Sequence, residues 1–118
     1  MVDTIALHTR IAEGCEQDYD REHRRIPDDL DTALRRAGVH SWRIWRDGRD
    51  LFHLVEVDDV AAMRRTLRDD PANRAWQHHI NQFLEIPDRY DGDDEGIHRV
   101  WELPSRPPSD DVAQDGHA

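Results

Sequence analysis

The stretch VHSWRIWRDGRDLFHLVEV, residues 39–57, decides how the rest of the chain is read. Its two arms, VHSWRIW and LFHLVEV, are rich in β-branched and aromatic residues, the types that pack well on a pleated surface. Asp47-Gly48 lies between them and marks a turn, with Arg49 and Asp50 lengthening the loop. The passage predicts an antiparallel hairpin in the middle of the chain. On its N-terminal side, DTIALHTRIA (3–12) alternates: Ile5, Leu7 and Ile11 fall on one side, Ala6, His8 and Arg10 on the other, as in a strand. Between the two, Tyr19, His23, Ile26, Leu30, Leu34 and Ala37 follow a helical stripe. Pro27 interrupts that stripe and predicts a kink or restart, with Asp28 and Asp29 in the first turn of the second segment and Gly38 closing it.

On the C-terminal side of the hairpin, Asp58 or Asp59 caps a helix carrying Val60, Met63 and Leu67. Asp70-Pro71 ends it and starts another, whose apolar face carries Trp76, Ile80, Phe83 and Leu84. A polar loop over 87–96 then leads into IHRVWEL (97–103), read as the last strand. The order β-α-β-β-α-α-β is that of a ferredoxin-like split βαβ of the α+β class, an antiparallel sheet with helices on one face. The other face needs cover, and a second copy of the chain packed on it is the expected source. Residues 1–104 are expected to form one domain. The segment 105–118 has no apolar periodicity and is expected to be disordered.

Composition narrows the function classes. The chain has 118 residues and a net charge of −10, with 26 acidic residues against 16 basic ones, which disfavours a nucleic-acid surface. Every basic residue is Arg, so lysine Schiff-base chemistry is excluded. No apolar run is long enough to span a bilayer. The lone Cys15 can form no internal disulfide, and a reducing, cytoplasmic location is expected. Cys15 carries no nucleophile signature, and no glycine-rich loop opens a helix to hold phosphate.

The histidines need separate treatment. His8, His53 and His98 fall one on each of three predicted strands and could gather around an ion if they faced the same way. No His-x-x-x-His pair and no second cysteine support that reading, so no metal is expected. Tyr19 and His23, four apart in a helix, share one face. They are either a polar pair at the edge of the core or a ligand-binding pair containing a proton-transfer group. Should Trp42 and Trp76 close over the same space, the result is an aromatic pocket. Indole faces suit the C–H face of a sugar ring, phenol and imidazole suit its hydroxyls, and an imidazole can both give and take protons.

YDREHRRIPDDLDTALRRAGVHSWRIW, LFHLVEVDD, NRAWQHHI and VWELP, taken in that order, resemble the L-rhamnose mutarotase family over residues 4–104. The resemblance implies a ferredoxin-like dimer that interconverts the α and β anomers of L-rhamnose with no metal or organic cofactor. It implies that His23 is the catalytic proton donor and that Tyr19 contacts the substrate; the chemistry of a hemiacetal, whose ring opens on protonation of the ring oxygen, assigns that proton to His23. A second contacting tyrosine of the family falls on Trp42, and a tandem Trp-Trp falls on Ala75 and Trp76. The expected site is therefore His23 for catalysis, with Tyr19, Trp42 and Trp76 binding L-rhamnose or a related 6-deoxy sugar such as fucose. The alternative is a dimeric ferredoxin-like binding protein, or a cofactor-free oxygenase or cyclase, with a divergent pocket.

Overall fold

The computed structural model describes residues 2–90 and 96–104. The expected tail, 105–118, lies outside them. The elements run β1 (Asp3–Ile11), α1 (Glu16–Glu22), α2 (Asp28–Arg36), β2 (Val39–Asp47), β3 (Asp50–Val57), α3 (Val60–Asp69), α4 (Pro71–Ile80), a 3₁₀ turn (Asn81–Phe83) and β4 (Leu84–Ile86). The strands form one sheet in the order β2-β3-β1-β4, each neighbour antiparallel. This is the expected ferredoxin-like α+β arrangement. Odd-numbered residues of β1 and β3 (Ile5, Leu7, Thr9 and Ile11; Leu51, His53, Val55 and Val57) are buried on the helix-covered face.

The hairpin forms with a tighter turn than its sequence predicts. Asp47 pairs with Asp50, leaving only Gly48 and Arg49 in the loop. Gly48, at φ +62°, takes the left-handed first position, the sign pattern of a type II′ turn. At its other end β2 carries a bulge: the register shifts between Val39 and Ser41, leaving His40 as the extra residue. Val39 and Trp42 have opposite parity, yet both pack against the same core cluster. The extra residue is what turns Trp42, and Ile44 after it, onto the helix side.

The helical segment breaks before Pro27 rather than at it. α1 ends at Glu22, His23 is its C-cap, and α2 restarts at Asp28. A proline disfavours helical geometry in the residue before it and supplies no N–H to the turn behind, so the chain opens over residues 23–27. Asp59 and Asp70 are the N-caps of α3 and α4, each accepting a backbone N–H through its side chain.

The last strand differs from expectation. Phe83 and Leu84 continue the apolar periodicity of α4, but the chain tightens into the 3₁₀ turn and pairs as β4 with Arg10 and Ile11 of β1. Leu84 still packs on the core, so the stripe is satisfied without a helix. Ile86 precedes Pro87, which favours extended backbone there. Residues 97–103, read as the final strand, form no strand. Gly96 (φ +78°) presses against β1 so closely that a Cβ would collide with the Ala6 carbonyl, and the Ile97 N–H donates to that carbonyl at 2.7 Å. Beyond this bond the segment leaves the sheet, with Val100 90% and Trp101 73% exposed. Among the described residues no helix is long and apolar enough to cross a membrane.

Candidate active site

The apolar interior is divided. One cluster joins Ile5, Leu7, Ala33, Val39, Val55, Val57, Met63 and Leu67. A second joins Ile11, Tyr19, Leu51 and Ile80. Side chains associated with both clusters line a cavity of about 340 Å³, within the usual range for small-molecule sites. Tyr19, His23, Trp42 and Trp76 all line it. Four residues singled out from α1, its C-cap, β2 and α4 are therefore brought together.

Tyr19 and His23 stack with ring centroids 4.1 Å apart, and Trp76 meets His23 edge-on at 5.2 Å. The His23 Nδ1–H donates to the Tyr19 carbonyl at 3.2 Å. A carbonyl can only accept, so the neutral ring carries its proton on Nδ1 and keeps a lone pair on Nε2. Burial disfavours the imidazolium and lowers its pKa below the usual 6.5, opposed by that hydrogen bond and by Asp20 and Glu22. Burial, with the nearby Asp88 and Asp20 charges, pushes the Tyr19 phenol upward, so it stays protonated. No hydrogen bond among the described residues engages its hydroxyl.

The same cavity contains polar groups not assigned from sequence: Thr9, His53, Asn73, Gln77, Asp88 and Tyr90. Thr9 and His53 occupy core-facing positions of β1 and β3, and a polar residue inside an alternating apolar series was a readable signal for them. The Trp42 indole N–H donates to His53 Nδ1 at 3.0 Å, and His53 Nε2 lies 2.9 Å from Thr9 Oγ1. Asn73 is buried and donates to the Leu67 carbonyl, closing α3 onto α4. Asp88 and Tyr90 come from the irregular chain after β4, where no periodicity marks them. Asp88 faces the buried Arg64 guanidinium at 3.8 Å, and Arg64 also lies 5.7 Å from the Tyr90 ring centroid. Burial and Asp88 hold the Tyr90 phenol protonated.

Other expectations separate. His8 points to the opposite sheet face, 2.9 Å from Asp50, and His98 is exposed. The three strand histidines do not converge, because His8 and His53 have opposite parity across the β1–β3 register. Ala75 lies on the exposed side of α4 and does not line the cavity, so the aromatic wall on that helix is Trp76.

Comparison with known proteins gives the family and the fold. The L-rhamnose mutarotase family model matches residues 4–103. An L-rhamnose mutarotase of Paraburkholderia phymatum is 39% identical over 91 residues, covering 75% of this chain and 83% of its own. One from Opitutus terrae is 37% identical over 77 residues, covering 64% and 74%. Among solved structures, the L-rhamnose mutarotase of Formosa agariphila superposes with a TM-score of 0.69 at 16% identity, covering 86% of this chain and 99% of its own. Tetracenomycin F2 cyclase of Streptomyces glaucescens, a type-II polyketide cyclase, shares the fold at a TM-score of 0.56 and 19% identity, with the same coverage. A match spanning residues 4–103 encloses the whole cavity and every element around it, and the chain belongs to the L-rhamnose mutarotase family.

Proposed function

We propose that this protein is an isomerase that interconverts the α and β anomers of L-rhamnose or a closely related 6-deoxy sugar, with His23 as the proton-transfer group. The observation that carries the reading is the half-buried His23, tied at Nδ1 and stacked on Tyr19, at the wall of a cavity lined by two tryptophans. In the cycle we infer, the neutral ring takes the anomeric hydroxyl proton at Nε2. The bond from the anomeric carbon to the ring oxygen breaks, giving the open-chain aldehyde and an alkoxide at the former ring oxygen. Both oxygens are bonded to the same carbon, so the imidazolium can hand the proton to the alkoxide without a second titrating group. His23 is then both acceptor of the anomeric proton and donor to the ring oxygen. Rotation about C1–C2 and the reverse steps give the other anomer. The protonated Tyr19 phenol donates a hydrogen bond to the sugar, and the Trp42 and Trp76 faces cover its C–H surfaces. Proton transfer of this kind contributes roughly a hundred- to ten-thousandfold, which suits a reaction that already proceeds slowly in water.

We also read the protein as a homodimer. Trp45 (54% exposed) and Phe52 (41% exposed) lie on the sheet face that no helix covers, and the exposed apolar residues after Gly96 add to the surface a second copy would bury. The lone Cys15 supports a cytoplasmic location. The alternative reading, a ligand-binding protein or a cyclase, has only the fold shared with the polyketide cyclase behind it. The test is NMR exchange between the anomers of L-rhamnose and L-fucose. Exchange is expected in the unaltered protein and is expected to vanish in His23→Ala with the fold retained. Full activity in that variant removes the assignment, and binding without exchange in the unaltered protein favours the alternative.

A further inference from the structure

A chain of two hydrogen bonds crosses the sheet wall of the cavity, from Trp42 on β2 through His53 on β3 to Thr9 on β1. Its direction is fixed by chemistry. An indole N–H only donates, so His53 Nδ1 must hold a lone pair. Burial holds the His53 pKa down at about 4, so the ring is neutral and carries a single proton. That proton sits on Nε2 and is donated to Thr9 Oγ1, 2.9 Å away. The Thr9 oxygen is thus an acceptor inside the protein, and its own hydroxyl hydrogen is still to be placed. Thr9 is 2% exposed and lines the cavity, and among the described residues its hydroxyl makes no hydrogen bond besides the one with His53. A buried donor left unmade is costly, whereas one aimed at a ligand is a recognition element. Donation along the chain also polarises the terminal hydroxyl and strengthens it as a donor.

We propose that Thr9 is a substrate-binding residue whose hydroxyl donates a hydrogen bond to an oxygen of the bound sugar, with Trp42 and His53 fixing the direction of that donation. The proposal rests on the mutarotase reading and deepens it. The resemblance places a substrate-contacting tyrosine at position 42. Here the only polar atom of Trp42 is committed to His53. Trp42 therefore offers the sugar ring carbon alone, and the polar contact on the sheet side passes to Thr9.

The test compares anomer-exchange kinetics on L-rhamnose for the unaltered protein, Thr9→Val and Thr9→Ser. Thr9→Val keeps the shape and loses the donor. KM should rise roughly three- to tenfold, the range one net hydrogen bond spans, with kcat moving less. Thr9→Ser restores the hydroxyl and should return KM most of the way. In parallel, ¹⁵N spectra of the unaltered protein should show His53 protonated at Nε2, with that signal shifting as L-rhamnose is added. Should Thr9→Val fail to fold, the spectra decide alone. An unchanged KM in folded Thr9→Val, a His53 protonated at Nδ1, or a His53 signal unmoved at saturating sugar overturns the role of Thr9 while leaving the mutarotase reading in place. An unaltered protein that exchanges no 6-deoxy sugar overturns both.

Discussion

A histidine and a tyrosine four apart were visible as candidates from spacing alone, because helical geometry places such pairs on one face. What spacing could not supply is the tautomer. The bond from His23 Nδ1 to the Tyr19 carbonyl sets it, and burial sets the charge. Together they leave Nε2 as a base in the resting protein. The pH dependence follows with its sign. A histidine pKa lowered by burial leaves the neutral ring, the form the proposed cycle starts from, populated at and above 6.5 and loses it as pH falls through the lowered value. kcat/KM should be flat from neutrality upward and drop about tenfold per unit on the acid side, with its midpoint below the ordinary histidine value. A profile that rises on acidification would mean that the imidazolium is the entering form. Trp76 meets His23 edge-on while lining the cavity, so Trp76→Ala should raise KM more than it lowers kcat, measured by the same exchange experiment. Unchanged affinity would argue against sugar stacking there.

The elements were legible where local chemistry and tertiary demand agree. The Asp59 and Asp70 caps, the alternation of β1 and the hairpin arms all formed as read. They failed where a partner strand outbid periodicity. The stripe Trp76-Ile80-Phe83-Leu84 is a sound helical pattern, yet the edge of β1 at Arg10 and Ile11 takes the chain as β4. The bulge at His40 likewise has no composition cue, but without it Trp42 would face away from the cavity. α4 presents Asn73, Trp76 and Gln77 to the site, and its start depends on Asp70, whose carboxylate accepts the Asn73 N–H at 3.0 Å. Asp70→Ala should cost about 1 kcal/mol of stability, read as a lowered urea midpoint at unchanged slope. A loss confined to activity, with no stability change, would count against the cap.

At the scale of the molecule, one sheet covered by helices on a single side leaves Trp45 and Phe52 in solvent. Sedimentation equilibrium should find a dimer, and Phe52→Asp, which sets a charge on that face, should shift it to monomer with the fold intact. A monomeric unaltered protein would refute the assembly. The sequence by itself determined the element order as far as α4, the caps and the stripe that turns Tyr19 and His23 inward, since propensity, capping and alternation act between near neighbours and are written in the chain. Tertiary structure alone decided which strand closes the sheet, which way Trp42 faces, and that Thr9, His53, Asp88 and Tyr90 share a cavity with His23. Those outcomes depend on competition for unpaired backbone groups at a sheet edge, and on contacts between segments far apart in sequence, where no local pattern operates.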